Sequence, residues 1–246
     1  MTELLGKRAL VTGASRGIGA GIALALADKG ADVAITYERS AEKAAEVVRQ
    51  IEAKGRRAIA IQADSADPAA VKRSVDEAAA ALGGLDILVN NAGIASYAAV
   101  ADISLADIDA LLNVNVRSVI LASQAAIPHL GAGGRIVSIG SCLAERVPFG
   151  GSTIYSASKS ALLAFTRGLA RELGPTGVTV NLVQPGPIDT DMNPANGEQA
   201  DGIRSLTALG RYGTTAELAA AVAFLASPAA SFVTGSVLTA DGGVNA

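Results

Sequence analysis

Lys7-Arg8-Ala9-Leu10-Val11-Thr12-Gly13-Ala14-Ser15-Arg16-Gly17-Ile18-Gly19 carries a short apolar run directly into three glycines. A helical pattern follows from about Ile18 to Lys29 and stops at Gly30. Strand, glycine turn and helix in that order form the setting in which a phosphate rests on backbone N–H groups at a helix N-terminus. The spacing is GxxxGxG rather than GxGxxG, so the general dinucleotide fingerprint is not strictly met. Any one of these glycines could merely permit a tight turn, but three together in this context favour the phosphate reading.

The pattern repeats along the chain. Residues 32–37 (DVAITY) read as a second strand, 41–53 as a helix, 57–62 as a third strand before Ala63-Asp64-Ser65, and Pro68 suits a first helical turn. Residues 85–89 form a fourth strand leading into Asn90-Asn91-Ala92-Gly93, and 108–127 read as one long helix containing Asn113, Asn115 and Arg117. A fifth strand over 135–140 delivers Ser141. The helix bearing Tyr155 and Lys159 continues to about Leu173, and a sixth strand over 178–183 ends at Gln184-Pro185-Gly186-Pro187. The polar stretch 189–201 is the most lid-like part of the chain, before a helix over 216–225 and a last strand over 236–240. The strands are continuous apolar runs, as expected where helices cover both faces of a sheet. The expected fold is therefore α/β, one parallel, doubly wound domain spanning 1–246, with ligands outside the carboxyl ends of the strands.

Composition narrows the function classes. Half of the 246 residues are hydrophobic and 17% are charged, which suits a sizeable core. A net charge of −3 offers no footprint for nucleic acid or an anionic membrane. One cysteine, Cys142, and one histidine argue against an intrachain disulfide and against zinc catalysis, and no metal is expected. Residues 1–7 lack a charged-then-apolar signal pattern, and no unbroken apolar run reaches transmembrane length, so a soluble cytoplasmic protein is expected.

Tyr155 and Lys159 stand four apart, on one face of a helix. Taken alone, such a pair is more often an amphipathic surface pair. Beside a strand ending at Ser141 it gains a chemical reading. A free phenol titrates near ~10, and a neighbouring ammonium favours its phenolate and draws that value toward neutral. The Ser141 hydroxyl can then share a substrate oxygen with the phenol.

Together these motifs resemble the short-chain dehydrogenase/reductase family: TGASRGIG at 12–19, NNAG at 90–93, Ser141, YSASK at 155–159 and PG at 185–186. The resemblance spans essentially the whole chain. It implies a Rossmann-type domain with seven parallel strands, assembly as a homotetramer, and oxidation of alcohols or reduction of ketones with NAD or NADP. By the same resemblance Tyr155 is the proton donor and Ser141 polarises the substrate oxygen. Lys159 lowers the Tyr155 pKa and holds the nicotinamide ribose, while Asn115 is the fourth catalytic residue, whose helix distortion holds a water that connects Lys159 to solvent, with Asn113 a competing match. Fourteen positions separate Ser141 from Tyr155, one more than in many relatives, and the loop between them is expected to absorb the difference. Ser138 would face the other way along its strand, and Ser152 lies too near Tyr155.

The resemblance also distributes the cofactor contacts. Gly13, Ser15, Arg16, Gly17, Ile18 and Gly19 take the phosphates, and Asp64 and Ser65 border the adenine. Asn91, Ala92 and Gly93 meet the adenosine ribose, while Pro185, Gly186, Ile188 and Thr190 meet the nicotinamide amide. Glu38 lies near the position of a ribose-binding acid and suggests NAD(H). The family position for that acid maps to Tyr37, however, and Arg16 with Arg39 can clamp a 2′-phosphate, which favours NADP(H). Two subgroups are similar: 3-oxoacyl-acyl-carrier-protein reductases, and broad carbonyl reductases that include a cyclic-di-GMP-binding oxidoreductase. A carrier-protein substrate calls for basic residues at the site mouth, and Arg146, Arg204 and Arg211 are available. The contrasting expectation is a binding or regulatory protein in which catalysis is secondary.

Overall fold

The apolar runs at Arg8–Val11 (β1), Asp32–Tyr37 (β2), Ala58–Gln62 (β3), Ile87–Asn90 (β4), Arg135–Ile139 (β5), Thr179–Pro185 (β6) and Val237–Ala240 (β7) join into one sheet, ordered β3-β2-β1-β4-β5-β6-β7. Every pairing is parallel. The structure is a computed structural model and describes residues 3–246. Strands β4, β5 and β6 are buried along their whole length although they carry Asn90, Arg135, Ser138, Asn181 and Gln184, whereas the edge strands β3 and β7 are largely half-covered or exposed.

Helices cover both faces. Gly17–Asp28 (α1), Ala41–Glu52 (α2) and Thr215–Ala226 (α8) enclose one core with Ile22, Leu26, Val47, Ile51, Leu218 and Val222. Pro68–Leu82 (α3), Ser118–Ala126 (α5) and Thr153–Leu173 (α6) enclose the other with Val71, Val75, Leu82, Ala126, Leu169 and Leu173. Local chemistry sets the ends. Asp67 caps α3 by accepting from the Ala69 N–H, Pro68 occupies its first turn, and Gly83 closes it at φ +79°. Thr214 and Glu217 form a reciprocal capping box on α8. Leu105–Leu112 (α4) and Ala200–Ser205 (α7) complete the set.

The long helix expected over 108–127 is three pieces. It starts earlier, at α4, because the Ser104 hydroxyl accepts from the Asp107 N–H; it opens into a π turn at Asn113–Arg117 and resumes as α5. The continuous helical stretch Leu105–His129 is, among the described residues, the one helix long and apolar enough by length and composition to cross a membrane. Counting unbroken apolar runs does not anticipate it. Half of its most apolar window is buried, and it covers the sheet beside α3 and α6, as a core helix does. The lid-like polar stretch is tied to the rest of the fold at several points. It ends in α7 and is tied back by Ile188 pairing with Gly213, by a Thr190–Asn193 bridge, and by Tyr212 donating to Asn193 at 3.2 Å.

Candidate active site

Between β1 and β4 the strand order reverses, and the carboxyl ends of the strands open onto a cleft of about 1300 Å³. Single small ligands occupy pockets of ~300–1,000 Å³, so there is room for a dinucleotide and a second molecule. All of the cofactor positions expected from the sequence line this cleft, as do Ser141, Tyr155 and Lys159.

The phosphate end is made by backbone approach. Gly13 sits at φ +62°, and a Cβ there would lie 2.8 Å from the Ala92 Cα. A Cβ on Gly19 would meet the Asn91 Nδ2 at 2.5 Å and the Gly13 carbonyl oxygen at 2.7 Å. Two of the three glycines therefore let the first turn lie against the NNAG segment, and hydrogen bonds fasten the two together. Asn91 donates its amide to the Thr12 and Gly13 carbonyls at 2.8 and 3.1 Å, and the Thr12 hydroxyl accepts from the Asn91 and Ala92 N–H groups. From β2, the Thr36 hydroxyl accepts from the Gly13 N–H at 2.9 Å. Helix α1 starts without a side-chain cap and with no acid in its first turn, leaving its first N–H groups available to an anion. Glycine cradle and uncapped helix together fit a dinucleotide pyrophosphate.

The adenosine end carries charge of both signs. Arg39 is largely exposed and pairs with Glu38 at 2.7 Å. Arg16 lies 3.5 Å from Asp191, which also accepts from Lys43 at 2.9 Å. Hydrogen bonding from Lys43, then its charge and Arg16, holds the Asp191 carboxyl below the usual range. Lys43 and Asp191 were missed in the sequence because the contact joins α2 to the distant polar stretch.

At the reacting end, Lys159 is buried and donates its Nζ to the Ile139 carbonyl at 3.0 Å. A Cβ on Gly93 would lie 3.2 Å from that Nζ and 3.3 Å from the Asn115 Oδ1, so the segment after β4, the π turn and α6 meet at one point. Asn115 is fully buried. Its Oδ1 accepts from the Ile94 N–H at 2.9 Å, and its Nδ2 donates to the Ile94 carbonyl and to the Ser158 hydroxyl at 2.9 and 3.0 Å. Asn113 is only half-buried and makes no such contacts, which leaves Asn115 as the asparagine of the site. Ser141 lies just beyond β5, its hydroxyl accepting from the Leu143 N–H at 3.2 Å. Ser138 instead points into the core toward Asn90, and Ser152 donates to the Phe149 carbonyl.

The electrostatics differ from the sequence expectation. Burial pushes the Tyr155 phenol up to about 12, opposed by hydrogen bonding with Ser141, while Lys159 has no part in the shift. Burial drives the Lys159 amine down to about 8. The expected lowering of the phenol by the ammonium is therefore not found, because the amine is directed at the Ile139 carbonyl and both groups are desolvated. A phenol in this state is a proton donor throughout the neutral range, and the two hydroxyls can converge on one carbonyl oxygen. Tyr97 and Phe149 cluster beside Tyr155 at this end, and Met192, Ile203 and Leu206 line the same cleft. The sequence gives no local signal for them, because they come together only through tertiary structure.

Comparison with known proteins agrees with this geometry. A family profile described as enoyl-(acyl carrier protein) reductase matches residues 13–245. The cyclic-di-GMP-binding biofilm dispersal mediator protein of Escherichia coli is 45% identical over 246 residues, covering all of both chains. The versicolorin reductase stcU of Emericella nidulans is 42% identical over 254 residues, covering 98% of this chain and 96% of that one. A short-chain dehydrogenase from Burkholderia cenocepacia, solved in complex with NADP, is 64% identical and superposes with a TM-score of 0.98 over 99% of this chain and all of that one. With its seven-stranded parallel sheet, glycine cradle and Ser141, Tyr155 and Lys159 at one end of a single cleft, this chain belongs to the short-chain dehydrogenase/reductase family of oxidoreductases.

Proposed function

We propose that the protein is an NADPH-dependent reductase that converts a ketone or a 3-oxoacyl thioester to a secondary alcohol, with Tyr155 as the proton donor. The observation that carries the reading is the convergence of Ser141, Tyr155 and Lys159 on the same cleft as the glycine cradle. Gly13, Ser15, Arg16, Gly17, Ile18 and Gly19 would hold the pyrophosphate, and Tyr37, Arg16 and Arg39 the 2′-phosphate. Asp64 and Ser65 would border the adenine, Asn91, Ala92 and Gly93 its ribose, and Pro185, Gly186, Ile188 and Thr190 the nicotinamide amide. NADP in the Burkholderia relative and NADPH in a 53% identical blue fluorescent protein from a metagenomic library support this choice over NAD(H).

The reduced nicotinamide, when bound, supplies the hydride. The chain's own residues do the rest. Ser141 and Tyr155 donate hydrogen bonds to the carbonyl oxygen, stabilising the charge that develops there, and Tyr155 passes its proton to the alkoxide. Lys159 would hold the ribose hydroxyls, and the π turn fixed by Asn115 supports it from behind. A second reading, a regulatory protein that binds cyclic-di-GMP with catalysis secondary, draws on the full-length likeness to the Escherichia coli mediator. The reductase reading is also tied to a cytoplasmic homotetramer. Exposed Leu105, Leu112 and Ile120 on α4 and α5, and Phe232 near edge strand β7, support assembly from copies of this chain.

The test is oxidation of NADPH and NADH, followed by absorbance, against β-keto esters, activated ketones and an acetoacetyl thioester. Turnover with NADPH is expected, and Tyr155→Phe lowers kcat about 10³-fold while NADPH binding is retained. Near-normal turnover in Tyr155→Phe removes the phenol from the reaction. Specific cyclic-di-GMP affinity without ketone turnover replaces the reductase reading with the regulatory one.

A further inference from the structure

We infer that the substrate end of the cleft is a charge-free subsite walled by aromatic rings, built to take a flat, neutral, apolar ketone in preference to a carrier-bound 3-oxoacyl thioester. The inference rests on the reductase reading above and deepens it. The chain has only eight phenylalanine and tyrosine side chains and no tryptophan, yet three of these gather here. The Tyr97 ring lies 5.8 Å from the Tyr155 ring at 53° and 6.5 Å from the Phe149 ring at 59°. These are the tilted spacings that aromatic pairs favour, so the rings form one cluster beside the reacting phenol.

Two of the three rings face open space, Tyr97 being 58% and Phe149 44% exposed. The loops that carry them are joined, the Ala98 N–H donating to the Gly151 carbonyl at 2.9 Å, so the wall is held by backbone. Met192, itself 61% exposed, and half-buried Ile203 and Leu206 line the same cleft, on the polar stretch and the helix that follows it. None of these five side chains carries a charge. Covering such surfaces with an apolar ligand is favourable, and a planar ring system offers the matching shape.

The basic residues that an acidic carrier protein or a phosphopantetheine arm would need are already engaged. Arg146 donates to the Val244 carbonyl, Arg204 to Asp201 and the Ala195 carbonyl, and Arg211 to Glu217 at 2.7 and 3.0 Å. None of the three lines the cleft. The sequence had offered them as a carrier-binding patch, and the structure gives each an internal partner instead.

The experiment compares α-tetralone, a bicyclic aryl ketone, with ethyl acetoacetate and acetoacetyl-CoA in the NADPH-loaded protein, reading kcat and KM separately. Binding of α-naphthol, a flat product-like molecule, is followed independently by quenching of bound NADPH fluorescence. The expected result is a kcat/KM for α-tetralone at least about tenfold above that for either acetoacetyl substrate. Tyr97→Leu and Phe149→Leu each shrink that preference several-fold through KM, and Tyr97→Phe, which keeps the ring, retains it. Both leucine changes fall on exposed side chains, so folding is not at stake. A preference for acetoacetyl-CoA, or a ratio unmoved by Tyr97→Leu, overturns the subsite while leaving the reductase reading standing. Binding of α-naphthol that weakens in Tyr97→Leu, without turnover of any ketone, upholds the subsite and sinks the reductase reading.

Discussion

Lys159 lines the cleft, buried where the segment after β4, the π turn and α6 meet, whereas Lys43 lies outside it, exposed against the cleft residue Asp191. The contrast extends to their surroundings. Around Lys159 the distances are set by backbone: Gly93 admits the amine, the Ile139 carbonyl receives it, and Gly13 and Gly19 let the first turn lie on the NNAG segment. Around Lys43 they are set by flexible charged side chains in water. A site built by backbone contact tolerates almost no change, whereas one built by solvated charge is adjustable.

Gly19→Ala tests the first half of that contrast most severely. Its methyl would fall 2.5 Å from the Asn91 amide and within 2.8 Å of two backbone atoms, so the turn must move and the Asn91 bonds to Thr12 and Gly13 must break. Overpacking of this kind costs about 1–3 kcal/mol. A fall in Tm of roughly 3–10 °C is expected for a chain of this size, together with a loss of NADPH affinity of about 100-fold. Calorimetry and cofactor titration read the two effects separately. An alanine protein with wild-type Tm and affinity would show that this half is as adjustable as the other.

The same division decides what the sequence can disclose. The phosphate cradle is legible because glycines at a strand-to-helix turn have few other uses, and the strands because burial on both faces favours short apolar runs, even though Asn90, Arg135, Asn181 and Gln184 are buried within them. Within 108–127 two mid-helix asparagines suggest a local use and the resemblance implies a distortion at Asn115, but the residues alone do not show the π turn, since the reward for opening the helix there is the Asn115 amide meeting Ile94 and Ser158. Capping chemistry at Ser104 and Asp107 could have moved the helix start to Leu105. Helix α7 is too short to show a period. Tyr97, Phe149 and Met192 carry no positional signal, and the pairing of Arg16 and Lys43 with Asp191 crosses most of the chain.

Titration gives a second test, of intermediate size. Burial lowers the Lys159 amine from 10.5 to about 8, so the folded protein gives up this proton before the unfolded chain does. Between about pH 8 and 10.5 the unfolded state binds more protons, and this group makes stability rise with pH in that window. Any activity that needs the ammonium falls over the same range, about tenfold per unit once well above pH 8. Tyr155, raised from 10.0 to about 12, stays protonated in the folded protein there, so it does not mask the loss of activity; above about pH 9, however, its stability contribution and that of Cys142, raised from 9.0 to about 11, fall with pH as the unfolded chain ionises, and they oppose the lysine effect. Thermal stability and kcat/KM measured from pH 7 to 8.5, where the lysine dominates, should therefore move in opposite directions. Activity that stays flat to pH 9.5 would show that Lys159 keeps its proton despite burial.

Asp191→Asn probes the solvated half and is expected to do least. Its carboxylate sits between Arg16 and Lys43 at the edge of the cleft, all three side chains being about half exposed. Removing that charge frees both cations for an incoming 2′-phosphate, which argues for tighter NADPH binding; it also releases one tie between the polar stretch and α2, which argues for weaker binding. Screening decides the first effect: among solvated charges it amounts to about twofold to fivefold, and it fades in 0.5 M salt. The second effect is smaller, because the stretch remains fastened by Ile188 with Gly213, Thr190 with Asn193, and Tyr212 with Asn193. The net expectation is a KM for NADPH lowered by about twofold to fivefold at low salt, with little change for NADH, which lacks the phosphate. A KM raised more than tenfold, insensitive to salt, would mean that Asp191 fixes the polar stretch over the cofactor, and that this half of the cleft is as rigidly built as the half around Lys159.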